Sequence, residues 1–341
     1  MSYVLYLELN IQTDFTILFM RTSSKRNTNG RAFEYAIAAC FHAFLCGRGL
    51  NVRLVGDNRM CAARDCYHSL AEAQRRGFES AAHNIMPTLL RLEPGLCNQK
   101  DDDDTLEILL NGDEAGERGD VRDVVFRRAD WETGISAKNN NDSMKHSRLG
   151  WHLDFGKSWL GIPCTSAYWD EVAPVFATLD RYATAGAAWS DIADKESRIY
   201  VPLLRAFRAE LLRINESGAG VPVRLVTYLI GRMPFYKVIK DDVHNMVVVK
   251  AFNIGGGLNK AYGGVSTRYT TCKAALPTRI VELDFKPGSA TTLQLVADNG
   301  WEMSFRIHNA RTLVERSLKF DIKLLGNPPV LFTQHIFQEE A

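Results

Sequence analysis

The sequence has almost no excess charge: 41 Lys and Arg stand against 40 Asp and Glu over 341 residues, a formal net charge of +1. Such a balance excludes coating a polyanion with surplus base along the whole chain, and it leaves room only for a local basic face. Long apolar runs are also missing. The stretch Met1–Met20 is broken by Glu8, Asn10, Gln12 and Asp14 and has no basic leader, so neither a signal peptide nor a membrane anchor is expected. Met20, followed by Arg-Thr-Ser-Ser-Lys-Arg-Asn, reads as a second start, with the preceding nineteen residues as a peripheral strand or a translated leader. The seven cysteines (Cys40, Cys46, Cys61, Cys66, Cys97, Cys164 and Cys272) contain no CxxC pair and no Cys/His spacing of a zinc site, so reduced, mostly buried thiols and a cytoplasmic location are expected. HExxH and G-x-S-x-G are absent. Asp154-Phe155-Gly156 lacks the catalytic loop that would make it a kinase triplet, and Gly255-Gly256-Gly257 lacks the Lys-Ser/Thr of a phosphate loop and reads as a turn or a close backbone approach.

What is present is the composition of a globular protein, 46% hydrophobic and 24% charged, with enough length for a large core. Residues 30–45 (GRAFEYAIAACFHAFL) place Phe33, Ile37, Cys40 or Phe41, and Phe44 on one stripe, which predicts an amphipathic helix. A second helix is expected over Ala62–Arg76, and a short apolar element over Ile85–Leu92 stopped by Pro94-Gly95. From Thr105 to Lys138 the period changes to short Val-, Ile- and Phe-rich runs, predicting three consecutive strands after an acidic turn at Asp101–Asp104. Helical spacing returns at Tyr168–Arg181 and Arg198–Ile214, ending at Gly218-Ala219-Gly220. Beyond Val221 seven strand-like runs follow, from VRLVTYLIG to LKFDIKLLG. No repeat and no Pro/Gly/Ser linker is visible. The predicted division is an N-terminal extension at 1–28, a core at 29–165, and a helical connection with a β-rich lobe at 166–341, packed as one unit.

The segment GDVRDVVFRRADWETGISAKNNNDSMKHSR (119–148) carries the chemistry. Strand alternation puts Glu132, Gly134, Ser136 and Lys138 on one face, and a hairpin would bring Asp123, at the head of the preceding apolar run, beside Lys138. An acid and a lysine at the ends of adjacent strands suit metal-assisted phosphodiester hydrolysis, in which the carboxylate holds Mg²⁺ and the lysine orients water and offsets charge. A strand-end ion pair is the competing reading. Glu34, inside the first helix between Phe33 and Tyr35, could aim its carboxylate at the same strand ends. Charge is unevenly spread: residues 101–120 hold nine acids and one base, whereas 232–279 hold eight bases and two acids. The basic tract, interleaved with Tyr236, Asn245, Asn253, Asn259, Tyr262 and Tyr269, suits backbone phosphates.

WETGISAKNNNDSMKHSRL, LDFGKSWLGIPC, VPVRLVTYLIG, FYKVIKDD, AFNIGGGLN and DNGWEMSFRIHNA together resemble the HaeIII family of type II restriction endonucleases, from about Asn29 to about Phe332. The resemblance implies an α/β fold with the PD-(D/E)xK restriction-endonuclease-like core, a mixed central sheet flanked by helices, and a β-rich C-terminal DNA-recognition lobe. It implies Mg²⁺-dependent hydrolysis of double-stranded DNA at GGCC to blunt ends, in a restriction-modification system whose cognate methyltransferase acts on the same site. No membrane is implied, and a homodimer is compatible with it.

Carried onto this sequence, the acid of the motif is Asp123 or Asp120, with Asp123 preferred because it directly precedes the apolar run. Two residues before Lys138 the family fold's usual Asp or Glu is replaced by Ser136, a poor Mg²⁺ ligand. Another carboxylate must compensate: Glu34 first, then Glu132, which lies about 13 Å upstream along the strand. Metal ligands are therefore expected among Asp123, Asp120 and Glu34, and the catalytic set is Asp123, Lys138, Ser136 and Glu132. Readers of guanine and cytosine edges are expected at Lys145, His146 and Arg148 and at Arg306, His308 and Asn309. Phosphate contacts are expected at Asn139, Asn140, Asn141, Lys157, Lys237 and Lys240. Two other readings stay open: a catalytically inactive sequence-specific DNA-binding protein, kept alive by Ser136, and a repair-type nuclease of the same fold.

Overall fold

Described from a computed structural model over residues 28–145, 147–326 and 328–338, the chain is a mixed α/β protein divided into two compact units. Of the described residues, unit 1 comprises those within 28–141, 234–272 and 332–338, and unit 2 those within 142–233 and 273–331. The expected N-terminal extension, apart from Thr28, lies outside the described residues.

Unit 1 is organised on a seven-stranded mixed sheet: β1 (Val52–Leu54), β2 (Leu106–Leu110), β3 (Val124–Arg128), β4 (Trp131–Asn139), β6 (Phe235–Asp241), β7 (Met246–Phe252) and β12 (Phe332–Phe337), in that spatial order. The β1–β2 and β4–β6 pairs are parallel and the rest antiparallel. Helix α1 (28–47) forms where the apolar stripe predicts it, burying Phe33, Ile37 and Phe41. It shares one core with α3 (Glu72–Leu92) and with Ile135, Ala137, Tyr236, Val238, Val247 and Val249 of the sheet. These strand residues alternate with Ser136, Lys138 and Lys237, which therefore occupy the opposite face.

The helix expected over Ala62–Arg76 is two helices. Helix α2 (Asn58–His68) is capped at its start by the Asp57 carboxylate, which accepts from the Arg59 and Met60 amides. It stops at Ser69, where the Ser69 hydroxyl bonds the Cys66 carbonyl. Helix α3 then runs on through Pro87 and absorbs the apolar element at Ile85–Leu92. The three strands predicted between Thr105 and Lys138 are β2, β3 and β4, with a five-residue helix, α4 (Asp113–Glu117), inserted between the first two. β1 and β12 escaped the sequence reading because they are short edge strands, each paired on one side only.

Unit 2 consists of two excursions of the chain out of the unit 1 sheet, one between β4 and β6 and one between β7 and β12. It contains α5 (Ser166–Thr184), α6 (Val201–Glu216), α7 (Val221–Ile230) and a five-stranded antiparallel sheet ordered β5 (Arg148–Gly150), β11 (Ser317–Gly326), β10 (Glu302–His308), β9 (Thr292–Ala297) and β8 (Ile280–Phe285). Phe207 of α6 packs against Phe155, Trp159, Phe305 and Phe320.

The run VRLVTYLIG is helix α7, not a strand. Its apolar residues Val221, Leu225, Val226, Leu229 and Ile230 recur at helical spacing and are buried, and Pro222 sits in the first turn, where its missing N–H costs nothing. Local β-branched content suggested a strand, and tertiary burial of a helical stripe overrides it. Nor does the chain divide after residue 165. The β-rich C-terminal part is shared, because β6, β7 and β12 return to the sheet of β2–β4 while β8–β11 build their own. All seven cysteines are free, but only Cys40 and Cys164 are buried, which corrects the expectation of mostly buried thiols.

Candidate active site

β4 extends past the end of β3, and this mismatch creates the site. The register opposes Val124 to Ile135, so Asp123, one residue before β3, falls opposite Ser136. The Asp123 amide still donates to the Ile135 carbonyl at 2.7 Å. The next β4 amide on that edge, that of Ala137, donates instead to Asp123 Oδ2 at 2.7 Å. The side chain thus replaces a missing ladder acceptor. The same oxygen accepts from Ser136 Oγ at 3.1 Å and from Lys138 Nζ at 3.1 Å. Three donors converge on one oxygen, and Oδ1 receives none from the described residues. Both charged side chains are partly open to solvent, Asp123 at 26% and Lys138 at 28%. The pairing of acid and lysine read from the strand faces is therefore present, with Ser136 joined to it.

The two other acids of this stretch are held differently. Arg122, only 6% exposed, donates Nε and Nη2 to the two oxygens of Asp120 at 2.8 and 2.7 Å, and Nη1 to Glu132 at 3.0 Å. Asn111 Nδ2 adds a bond to Asp120 Oδ2 at 3.1 Å. Burial alone would raise the Asp120 pKa, but the Arg122 hydrogen bonds and charge outweigh it and hold the carboxyl below its ordinary value. Gly134 makes room for this clamp. A Cβ there would lie 2.5 Å from Arg122 Cδ and 3.0 Å from its Cβ and Cγ, so the aliphatic stem of Arg122 lies against β4 where no side chain can stand. Arg122 is a residue the sequence reading passed over; a glycine inside a strand, two residues from Ser136, was the signal that something lies close against it. Glu34 is half-buried on α1. Among the described residues no group of three or more His, Cys, Asp or Glu side chains is arranged to hold an ion.

Of the residues expected on DNA, Asn140 has its side-chain amide engaged within the fold. In a left-handed backbone conformation (φ 55°) it bonds the Asp242 amide and carboxylate, tying the end of β4 to the β6–β7 turn. Asn139 leaves a buried Oδ1 without a partner. Lys237 and Lys240 depart from the expectation of exposed phosphate contacts. They lie on β6, inside the sheet between β4 and β7, exposed by only 2% and 7%, and Lys240 is paired with Asp242. Lys237 stands in register with Ser136. Asn141 is the last residue of this segment of unit 1.

The remaining candidates belong to unit 2. Lys145 rests 3.8 Å from the centroid of the Tyr228 ring, whose hydroxyl bonds Ser147 Oγ at 2.9 Å. His146 lies outside the described residues. Arg148 donates to Glu315 at 2.8 Å while its buried Nε has no partner. Lys157 is exposed. Arg306 is exposed on β10 in register with Asp321. His308, two residues on and on the same face, has its pKa pushed down by burial and carries an unpartnered Nδ1. Asn309 is engaged by the Tyr200 hydroxyl and by the Arg311 carbonyl. No helix of the described residues is long and apolar enough to cross a membrane.

Comparison with known proteins gives concordant results. The model of the family described as HaeIII restriction endonuclease matches residues 30–328. The type II restriction enzyme HaeIII of Haemophilus aegyptius is 35% identical over 312 residues, which cover 91% of this chain and 97% of that protein. No solved structure matches the chain.

Proposed function

The chain belongs to the HaeIII restriction endonuclease family and is a type II restriction endonuclease, and from that premise we propose that it hydrolyses double-stranded DNA at GGCC, leaving blunt ends, with Mg²⁺ as cofactor. The observation that carries the reading is the convergence of Ser136, Ala137 and Lys138 on Asp123 Oδ2 at the strand ends of a mixed sheet, which we read as a core of the PD-(D/E)xK type. The recognition surface is assigned to unit 2, with Arg148, Arg306, His308 and Asn309 as base readers and Lys157 on phosphate. We assign the protein to a cytoplasmic restriction-modification system in which a methyltransferase protects the same sequence, and a homodimer would match a palindromic target.

The residues present suit the cation. Mg²⁺ takes oxygen ligands, typically one or two carboxylates with water and phosphate oxygens completing the shell, and Asp123 offers an oxygen without a protein donor at a partly open position. Asp123 leads over Asp120, whose two oxygens are already engaged by Arg122 and Asn111. Glu34 is the proposed second carboxylate, replacing the acid absent at Ser136. When bound, the cation supplies charge stabilisation at the scissile phosphate. Asp123 anchors the Lys138 ammonium at the end of β4, and that ammonium orients the attacking water and offsets negative charge developing on the phosphoryl oxygens. The Ser136 hydroxyl, already on Asp123, is a second donor or acceptor for that water.

Digestion of a plasmid of known sequence by the purified protein tests this, with EDTA and Lys138→Ala as controls. Discrete fragments mapping to GGCC, lost in both controls and blocked by methylation of that site, are expected. Specific binding without cutting in any divalent cation would overturn the catalytic assignments, and a smear without discrete bands would overturn GGCC recognition.

A further inference from the structure

Between β7 and the end of this segment of unit 1 the chain makes an excursion, residues 253–272, without α-helix or named strand; its tight turn at Ile254–Gly256 is itself irregular, Gly255 being left-handed at φ 71°. Loops of this length inside a compact unit are uncommon and are usually functional. This one is firmly anchored from beneath. Asn253 Oδ1 accepts from the Leu258 amide at 3.0 Å while its Nδ2 donates to the Thr271 carbonyl at 2.9 Å, so the two ends are tied together. Asn259, with a left-handed φ of 59°, bonds the Leu92 carbonyl, the Tyr236 hydroxyl and the Thr271 amide and hydroxyl. Its own amide donates to the buried Glu93 carboxyl at 3.0 Å. Tyr262 is buried and donates to Asp104 at 3.0 Å.

Above these anchors the loop turns tightly. Tyr262 and Val265 exchange both backbone hydrogen bonds across Gly263 and Gly264, which have φ of 58° and 77°, the two-residue turn that needs a left-handed conformation at both centres. What the loop exposes has one charge sign. Asn253–Cys272 contains no Asp or Glu, Lys260 and Arg268 are both exposed, and Tyr269, next to Arg268 in the chain, is 56% exposed. The Tyr269 ring is held against the Arg91 guanidinium at 4.9 Å, and Thr267 Oγ1 bonds the Arg91 carbonyl. The exposed group is thus cations and a phenol on a pre-formed backbone, so little ordering would be needed on binding.

We propose that this loop is a clamp on the DNA sugar-phosphate backbone, Lys260 and Arg268 each neutralising a phosphate and the Tyr269 hydroxyl donating to a phosphate oxygen, without reading sequence. It rests on the reading of the chain as a DNA endonuclease and adds a contact surface separate from the Asp123 site. Phosphate neutralisation has a specific signature, because each contact contributes about 0.9 to the slope of log affinity against log salt concentration on duplex DNA.

The test measures duplex binding by the full chain in EDTA, over a series of salt concentrations, on two duplexes of equal length, one containing GGCC and one lacking it. Wild type is compared with Lys260→Gln/Arg268→Gln, circular dichroism and thermal midpoint confirming the fold. The double variant is expected to lose about 1.8 from the salt slope on both duplexes. Tyr269→Phe is expected to weaken binding severalfold at every salt concentration with an unchanged slope. A double variant with the wild-type slope would overturn the clamp, as would a loss confined to the GGCC duplex, which would make the loop a base reader. If wild type binds neither duplex, the endonuclease reading fails instead, and the two failures remain distinct.

Discussion

Asp123 does two things that strand geometry makes inseparable: it completes the ladder of β4 and it collects Lys138 and Ser136 on one oxygen. Asp123→Asn keeps the shape and removes the charge, and with Lys138→Ala it is expected to lower the single-turnover cleavage rate at GGCC by at least about a thousandfold, the scale of losing an electrostatic contributor to a transition state. Ser136→Ala should cost less, since it removes one donor and no charge. Gly134→Ala tests the Arg122 clamp. Its Cβ would lie 2.5 Å from Arg122 Cδ, so a loss of about 1–3 kcal/mol in urea unfolding is expected, as for other overpacked sites. For Asp120 the folded pKa lies below the unfolded value of 3.8. Its stabilising contribution is therefore present above that pH and is lost as pH falls through the folded value. Acid titration of the Asp120→Asn variant should show a shallower decline there than wild type. Arg122 and Gly134 were legible as a pair only once the hairpin register was known, because neither is chemically notable alone.

Single elements here are decided at their ends. Helix α2 begins at Asp57, whose carboxylate accepts the Met60 amide at 2.9 Å, so Asp57→Ala should cost about 1 kcal/mol in thermal or urea unfolding. The loop at 253–272 depends on Glu93, which is 1% exposed and accepts from Tyr236 Oη at 2.7 Å. Burial pushes this carboxyl up from 4.5 to about 7, against the Asn259 amide, the Tyr236 hydroxyl and the Lys260 charge, which pull it down. A raised carboxyl stabilises the fold most when protonated in both states. Stability from this group is thus fully present below about pH 4.5 and is lost as pH rises through about 7. Glu93→Gln should flatten the stability profile across that window when unfolding is followed by urea titration from pH 4.5 to 8. The helix α7 shows the limit of reading elements locally. VPVRLVTYLI satisfies a β-propensity count and a helical burial stripe at once, and only the packing of Leu225, Val226 and Leu229 chooses between them.

At the scale of the molecule, unit 1 is discontinuous: its sheet takes β1–β4 from before residue 142, β6 and β7 from after 233, and β12 from the last residues described. A fragment ending at residue 165 would hold the whole Asp123–Lys138 pair but lose three of the seven strands. The β4 edge that pairs with β6 through Ile135–Asn139 would be left open. Such a fragment is expected to be aggregated or largely unfolded by circular dichroism and gel filtration, although it spans the core expected from sequence. A stable, cooperatively unfolding fragment would contradict the sheet order.

What the sequence determined by itself was local or chemical in kind. The period of Phe33, Ile37 and Phe41 specified α1, alternation placed Glu132, Ser136 and Lys138 on one face, and the long unusual tracts identified the family. The tertiary structure alone decided which acid meets Lys138, because Asp120 and Asp123 are both close in sequence and only the β3–β4 register sends one to Lys138 and the other to Arg122. It also decided that Lys237 and Lys240, charged and apparently available, are buried within the sheet. Spacing along one strand fixes neighbours on that strand. Partners on other strands depend on the order in which distant segments assemble, which no window of sequence contains.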